Sequence, residues 1–191
     1  MANDYIEASR VFHQVTKHSY TSVRTGGYAL DWDNKPLPYK IYPDAGAIVL
    51  PRELPLSSVA ALEAIRSTAP ASTPTPIDVD LLTRLLASAD GLTRTRNVGG
   101  EQYHFRAAAS AGGLYPNEIY LAASMVDGLE PGLYHFSPAD LKLRGLRRGC
   151  NRATLVHAAA ERASLRGARA VLVVSSIFWR SAWKYRARAF R

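Results

Sequence analysis

The chain has 191 residues, 47% of them apolar and 21% charged, with a formal net charge of +8. These proportions exclude a disordered chain and allow a domain of ordinary size with a sizeable core. Cys150 is the only cysteine, which excludes an intramolecular disulfide and fits a reducing compartment, and no apolar run approaches the ~20 residues needed to span a bilayer. The first ten residues lack the basic and apolar segments of a secretory signal, so a cytoplasmic protein without membrane contact is expected.

Charge is unevenly spread. Residues 142–191 hold 13 Lys and Arg against one acidic residue, Glu161, whereas residues 1–141 hold 11 against 15. A basic end of this kind invites a nucleic-acid or acidic-ligand partner, and it equally fits cations whose acidic complement lies outside the chain.

Taken in order, Ile6, Val11, Phe12 and Val15 recur near one face and predict a helix over 4–18, capped by Asn3 or Asp4. His13 and His18 stand five apart, not the four that set two imidazoles on one helix face, so no metal site is expected. Gly26-Gly27 with Pro36, Pro38, Pro43, Pro51 and Pro55 forbid a long helix, so 26–55 reads as an extended arm carrying Tyr28, Trp32, Tyr39 and Tyr42. Residues 1–56 are thus expected to form a lead-in helix and arm, and 57–191 the folded domain. Ser57 or Ser58 predicts a helix start running to about Ser67, with Leu62 and Ile65 inward, and the Pro-, Ser- and Thr-rich 69–76 reads as a connector. Leu81, Leu82, Leu85 and Leu86 fall at helical spacing behind a cap at Asp78 or Asp80, and Asp90-Gly91 closes that helix. Thr93 to Gln102 reads as a polar loop.

The next stretch, Ser110-Ala111-Gly112-Gly113-Leu114-Tyr115-Pro116-Asn117-Glu118-Ile119-Tyr120, places a Gly pair and a Pro ahead of a strand-like run. Taken alone, Gly-Gly before a strand marks a turn; without side chains at two successive positions it also lets backbone approach a flat or phosphorylated ligand closely. Strands follow at 119–126, 133–136 and 141–146, separated by Asp127-Gly128-Leu129-Glu130-Pro131-Gly132, in the pattern of an antiparallel meander. A helix at 152–164 and a buried strand at 170–177 complete an α+β arrangement.

Placed on a helix, the last segment sets Arg180, Lys184, Arg188 and Arg191 on one face and Trp179, Trp183 and Phe190 on its neighbour. Read by periodicity alone, this is a solvated cationic stripe beside an aromatic core face. Like charges one turn either side also disfavour protonating the Lys between them, the setting in which a lysine serves as a base, and they favour an ionised Tyr185.

Three stretches share their residues and order with one family. The first runs from Phe12-His13 to Tyr42-Pro43 and includes Thr16-Lys17-His18-Ser19, Ser22-Val23-Arg24, Leu30-Asp31-Trp32 and Lys40-Ile41-Tyr42-Pro43. The second is Arg106-Ala107-Ala108-Ala109-Ser110-Ala111-Gly112-Gly113-Leu114-Tyr115-Pro116 with Gly132-Leu133-Tyr134-His135-Phe136 after it, and the third is Phe178-Trp179-Arg180 through Trp183-Lys184-Tyr185 to Arg191. On these motifs the chain resembles the SagB/ThcOx-type dehydrogenases, the azoline-oxidising branch of the FMN-dependent nitroreductase superfamily. The resemblance implies a nitroreductase-like α+β fold, a mostly antiparallel sheet with flanking helices, that pairs as a homodimer or with a homologous module and holds FMN between subunits. It implies that Ser110, Ala111, Gly112, Gly113 and Leu114 lie along the flavin and that Lys184 and Tyr185 are the catalytic pair. The family's phosphate-binding Arg-Arg-Ser-x-Arg signature has its nearest match at Ile65-Arg66-Ser67-Thr68-Ala69, which keeps one arginine and makes Arg66 and Ser67 the expected phosphate contacts. Family members also continue past the position of Arg191, so the chain is expected to be the N-terminal part of a longer protein, with the C-terminal part of the fold missing.

The implied reaction oxidises a thiazoline or oxazoline in a peptide to the aromatic thiazole or oxazole, as in the biosynthesis of modified peptides. Two other readings remain: an NAD(P)H-dependent nitroreductase or quinone reductase on the same fold, and a non-catalytic peptide-binding scaffold. Fold alone does not separate them, because function resides in the site. Nucleic acid is not an expected partner, since flavin binding and tuning of a base account for the basic tail.

Overall fold

A computed structural model describes residues 4–53, 59–67 and 76–190. In chain order the elements are α1 (Asp4–Thr16), α2 (Tyr20–Thr25), β1 (Ala47–Val49), α3 (Ala61–Arg66), α4 (Val79–Asp90), β2 (Leu92–Val98) and β3 (Glu101–Arg106). There follow β4 (Asn117–Ala123), β5 (Gly132–Ser137), β6 (Lys142–Arg148), α5 (Arg152–Ala158), α6 (Ala163–Arg166), β7 (Ala170–Ser176) and α7 (Phe178–Tyr185). They fall into two compact units that interleave along the chain, one of residues 1–38, 110–116 and 176–191 and the other of residues 39–109 and 117–175.

The larger unit is built on a five-stranded sheet of order β1-β6-β5-β4-β7, in which β1–β6, β6–β5 and β5–β4 pair antiparallel. The expected meander is therefore β4-β5-β6, with Tyr120 opposite His135 and His135 opposite Arg144. Asp78, not Asp80, caps α4: its carboxylate accepts the Leu81 amide at 2.7 Å. From that helix Leu82 and Leu86 enter a core with Ile119, Leu121, Phe136 and Leu143, contributed by β4, β5 and β6. Their apolar area removed from water is the main stabilising term of this unit, at about 25 cal/mol per Å².

On the opposite face of β4 and β5 lies a buried polar pair. His135 Nε2 and Glu118 Oε2 are 2.6 Å apart, with both side chains almost wholly buried and His135 Nδ1 without a hydrogen-bond partner. The rings of Tyr42 and Tyr120 tilt against the imidazole at 5.0 and 5.1 Å, and their hydroxyls meet each other at 3.0 Å. Lys40 donates to the Tyr120 hydroxyl at 2.7 Å; this bond first, and its contact with Tyr42 second, hold its ammonium above the ordinary lysine range. The Lys40-Ile41-Tyr42 motif thus ties the arm to the sheet. Glu118→Gln keeps the shape but weakens a charge-assisted bond, and is expected to cost about 1–2 kcal/mol in chemical denaturation.

Several elements depart from the sequence expectations. The 93–102 loop is a hairpin: β2 and β3 pair antiparallel, with Arg96 opposite Tyr103 and Val98 opposite Glu101, and Gly99 and Gly100 turn it at positive φ. Its first strand, β2, lacks the apolar/polar alternation that marks a core strand, which hides the pairing from a pattern-based reading. The arm contains β1, paired with β6. The single helix over 152–164 is instead α5 and α6, separated where Ala160 and Glu161 take positive φ. Leu62 and Ile65 of α3 face solvent, as do Leu172 and Val174 of β7, which had read as buried throughout. Helix α3 starts at Ala61, while Ser57, Ser58 and residues 69–75 of the connector lie outside the described residues.

In the smaller unit α1 ends at Thr16, short of the expected residue 18, and α2 follows. Ser19 and Ser22 form a reciprocal capping box at the start of α2, with the Ser22 amide donating to Ser19 Oγ at 3.0 Å and the Ser19 amide to Ser22 Oγ at 2.8 Å. This short helix begins directly after the Thr16-Lys17-His18-Ser19 motif, whose last residue is its N-cap.

Candidate functional site

Inside the smaller unit, the loop 110–116 and helix α7 converge. Ser110 is extended, and its hydroxyl accepts the Tyr115 amide at 2.8 Å while its carbonyl accepts the Gly113 amide at 3.1 Å. These bonds close a tight single turn over Ala111–Gly113. Gly112 and Gly113 both have φ of +66°, a region that costs a residue with Cβ about 1–2 kcal/mol. The result is an exposed strip of nearly bare backbone from Ala111 to Gly113, with half-buried Ser110 and Leu114 at its ends.

Helix α7 begins after Ile177, whose amide donates to the Pro116 carbonyl at 2.7 Å, so the loop's end and the helix start are joined directly. It carries Lys184 and Tyr185 in its last turn, both half-buried. A Cβ on Gly112 would lie 2.7 Å from Tyr185 Oη, 2.8 Å from Lys184 Nζ and 3.1 Å from Lys184 Cδ. Both functional groups therefore press on the face of Gly112 that has no side chain. Lys184 Nζ stands 5.9 Å from the centroid of the Tyr185 ring. Gly112→Ala adds a methyl at a left-handed position and displaces both groups. It is expected to lose about 1–2 kcal/mol of stability, read as a lower midpoint in urea.

Arg180, one turn before Lys184, fixes this arrangement. Its guanidinium donates through Nη1 to the Tyr115 carbonyl at 2.7 Å and through Nε to the Leu37 carbonyl at 2.9 Å, and the residue is only 2% exposed. Trp183 donates its indole N–H to the Asp31 carbonyl at 2.6 Å and packs edge-on against Trp32 at 5.4 Å. The Leu30-Asp31-Trp32 motif is thereby a backstop for α7.

These contacts correct the expected cationic stripe. The helix stops at Tyr185, where Arg186 turns to a φ of 49° and its guanidinium covers the Tyr28 ring at 3.8 Å. Arg188 lies in a following 3-10 segment, in contact with His18, and Arg191 lies outside the described residues. Arg180 is buried, because backbone carbonyls satisfy its guanidinium, while Trp179 is 53% exposed and Phe190 also faces solvent. Of the expected aromatic face only Trp183 is buried. Spacing alone shows Arg180 as a charge one turn from Lys184, which reads as a solvated stripe or as tuning of a base, and gives no sign of this positioning role.

The structure thus brings Ser110, Ala111, Gly112, Gly113, Leu114, Lys184 and Tyr185 into one unit. Arg66 and Ser67 belong to the other, exposed at the C-terminal end of α3, where the Ser67 amide donates to the Glu63 carbonyl at 2.9 Å.

The chain aligns with the crystal structure of a protein from Anabaena variabilis ATCC 29413 described as a nitroreductase, at a TM-score of 0.73 and 28% sequence identity over 95% of this chain. The fold is nitroreductase-like. This nitroreductase-like chain spans 34% of that protein's length. It also aligns with the E. coli microcin synthetase McbBCD complex with truncated pro-MccB17 bound, at a TM-score of 0.48 and 20% identity, over 100% of this chain and 73% of that one. No family model and no curated protein matches the chain. No described helix is long and apolar enough to cross a membrane.

Proposed function

We propose that the chain carries the catalytic half-site of an FMN-dependent dehydrogenase that oxidises azolines in a peptide to azoles. The observation that carries this reading is the contact of Lys184 Nζ and Tyr185 Oη with the bare face of Gly112. Exposed backbone without side chains at Gly112 and Gly113 fits a flat ring system, and Ser110 to Leu114 would lie along it. Arg66, a cation at the surface, is the proposed phosphate contact, with Ser67 beside it.

Conversion of an azoline to an azole removes one ring proton and one hydride. FMN, when bound, supplies the hydride acceptor. The chain's part is the proton: Lys184 takes it at Nζ, and Tyr185 Oη beside it orients the ring or passes the proton on. Arg180 and Trp183 hold the helix so that both groups remain over the loop. A peptide substrate and pairing with a second copy or a homologous module belong to the same proposal.

A second reading, reduction of nitroaromatics or quinones with NAD(P)H, is favoured by the Anabaena protein's description. Flavin reduction separates the two. Mixed without oxygen, the FMN-loaded protein is expected to lose its yellow colour with an azoline peptide and to keep it with NADPH or NADH. Rapid bleaching by NAD(P)H, equally fast in Lys184→Ala, favours the reductase. Failure of the folded chain to take up FMN at all contradicts both.

A further inference from the structure

The β2–β3 hairpin of the larger unit is built inside out. Its inward face carries Arg106, which is buried and ion-paired to Asp90 at 2.8 Å, and His104, which meets Thr95 Oγ1 at 3.1 Å and tilts against the Tyr39 ring. Strand alternation then sends Phe105 and Tyr103 outward, and they are 42% and 46% exposed. The cross-strand pairs Arg94–Phe105 and Arg96–Tyr103 set two exposed guanidiniums beside these two rings on one face. Arginines and aromatics gathered on an exposed face mark recognition more than stability, since the rings lie in water and the hairpin packs only at its base, through His104 and Arg106.

We infer that this face docks an extended acidic segment of the peptide substrate. Arg94 and Arg96 are two residues apart on one strand, so they match carboxylates at alternate positions of an extended chain, while Tyr103 and Phe105 cover its apolar stems. A two-stranded ribbon also leaves backbone donors and acceptors along its edges, which an extended peptide can pair as a third strand. A second copy of this chain is a poor occupant, because face-to-face contact would oppose one pair of arginines with the same pair. The peptide as ligand rests on the azoline reading. In sequence, only Ala107, Ala108 and Ala109 separate the hairpin's end from Ser110.

The test titrates the full chain into a fluorescein-labelled peptide of alternating Glu and Thr, followed by anisotropy, with labelled oligothymidylate in parallel. The peptide is expected to bind, and the Arg94→Glu/Arg96→Glu variant to lose at least about tenfold in affinity with an unchanged circular-dichroism spectrum. Tyr103→Ala/Phe105→Ala, which keeps the charge, is expected to weaken binding too. No binding by the native chain, undiminished binding by the charge-reversed variant, or tighter binding of the oligothymidylate overturns the inference. Turnover of a small, non-peptidic thiazoline by the FMN-loaded protein reads the oxidative site separately and is expected to be the same in both hairpin variants. Its absence in the native chain counts against the azoline reading, whereas its presence without peptide binding counts against this surface alone.

Discussion

Replacing Lys184 with alanine is expected to slow azole formation by about 10²–10⁴-fold while leaving the fold and bound flavin in place. The size follows from the role: a positioned base contributes that much when it removes a proton that water would otherwise have to accept. The side chain is half-buried at the end of α7, so truncation removes little packing, and Gly112 opposite it has no side chain to collapse into the gap. Steady-state kinetics on a thiazoline peptide, with the flavin absorbance of each preparation as a control, reads the effect. Equal loss of flavin and turnover would instead make Lys184 a cofactor contact.

The second large effect concerns stability. Arg180→Ala is expected to destabilise the chain by about 3 kcal/mol or more, read as a lower midpoint in urea. Charge-assisted hydrogen bonds contribute about 1.5–3 kcal/mol each, and two carbonyls, of Tyr115 and Leu37, lose their donor when the guanidinium goes. Turnover is expected to fall with it even below the unfolding transition, because the Tyr115 carbonyl anchors the loop that faces Lys184. Arg180→Lys supplies one ammonium where a planar fork bridged two carbonyls, so it is expected to recover only part of the loss. Full recovery in Arg180→Lys would show that charge alone, and not the fork, sets the loop.

How much of this was legible in the sequence depended on how local the cause was. The α4 boundaries follow from Asp78 and Gly91, and the β4-β5-β6 meander from its turns, because caps and turns are written in a few adjacent residues. The pairing of Ser110–Leu114 with Lys184-Tyr185 joins segments some 70 residues apart, which periodicity does not reach; a family resemblance led to both segments, and the geometry shows them in contact. The cationic stripe was misread because spacing reports which residues share a helix face and not what covers that face. Carbonyls of distant segments cover Arg180, and Trp179 is left to solvent. The buried Glu118–His135 pair gave no local sign for the same reason: its partners stand on adjacent strands. The hairpin's reversed faces escaped because Arg106 is inward only by virtue of Asp90.

The central claim is that Lys184, held over the Gly112 turn, removes the ring proton of an azoline. Its most direct test is mass spectrometry of a thiazoline-containing peptide incubated in air with the FMN-loaded chain and, in parallel, with flavin-retaining Lys184→Ala. The native chain is expected to remove two hydrogens per ring and the variant to leave the peptide unchanged over the same time. Conversion by the variant at the native rate, or an intact thiazoline after incubation with the flavin-loaded native chain, contradicts it.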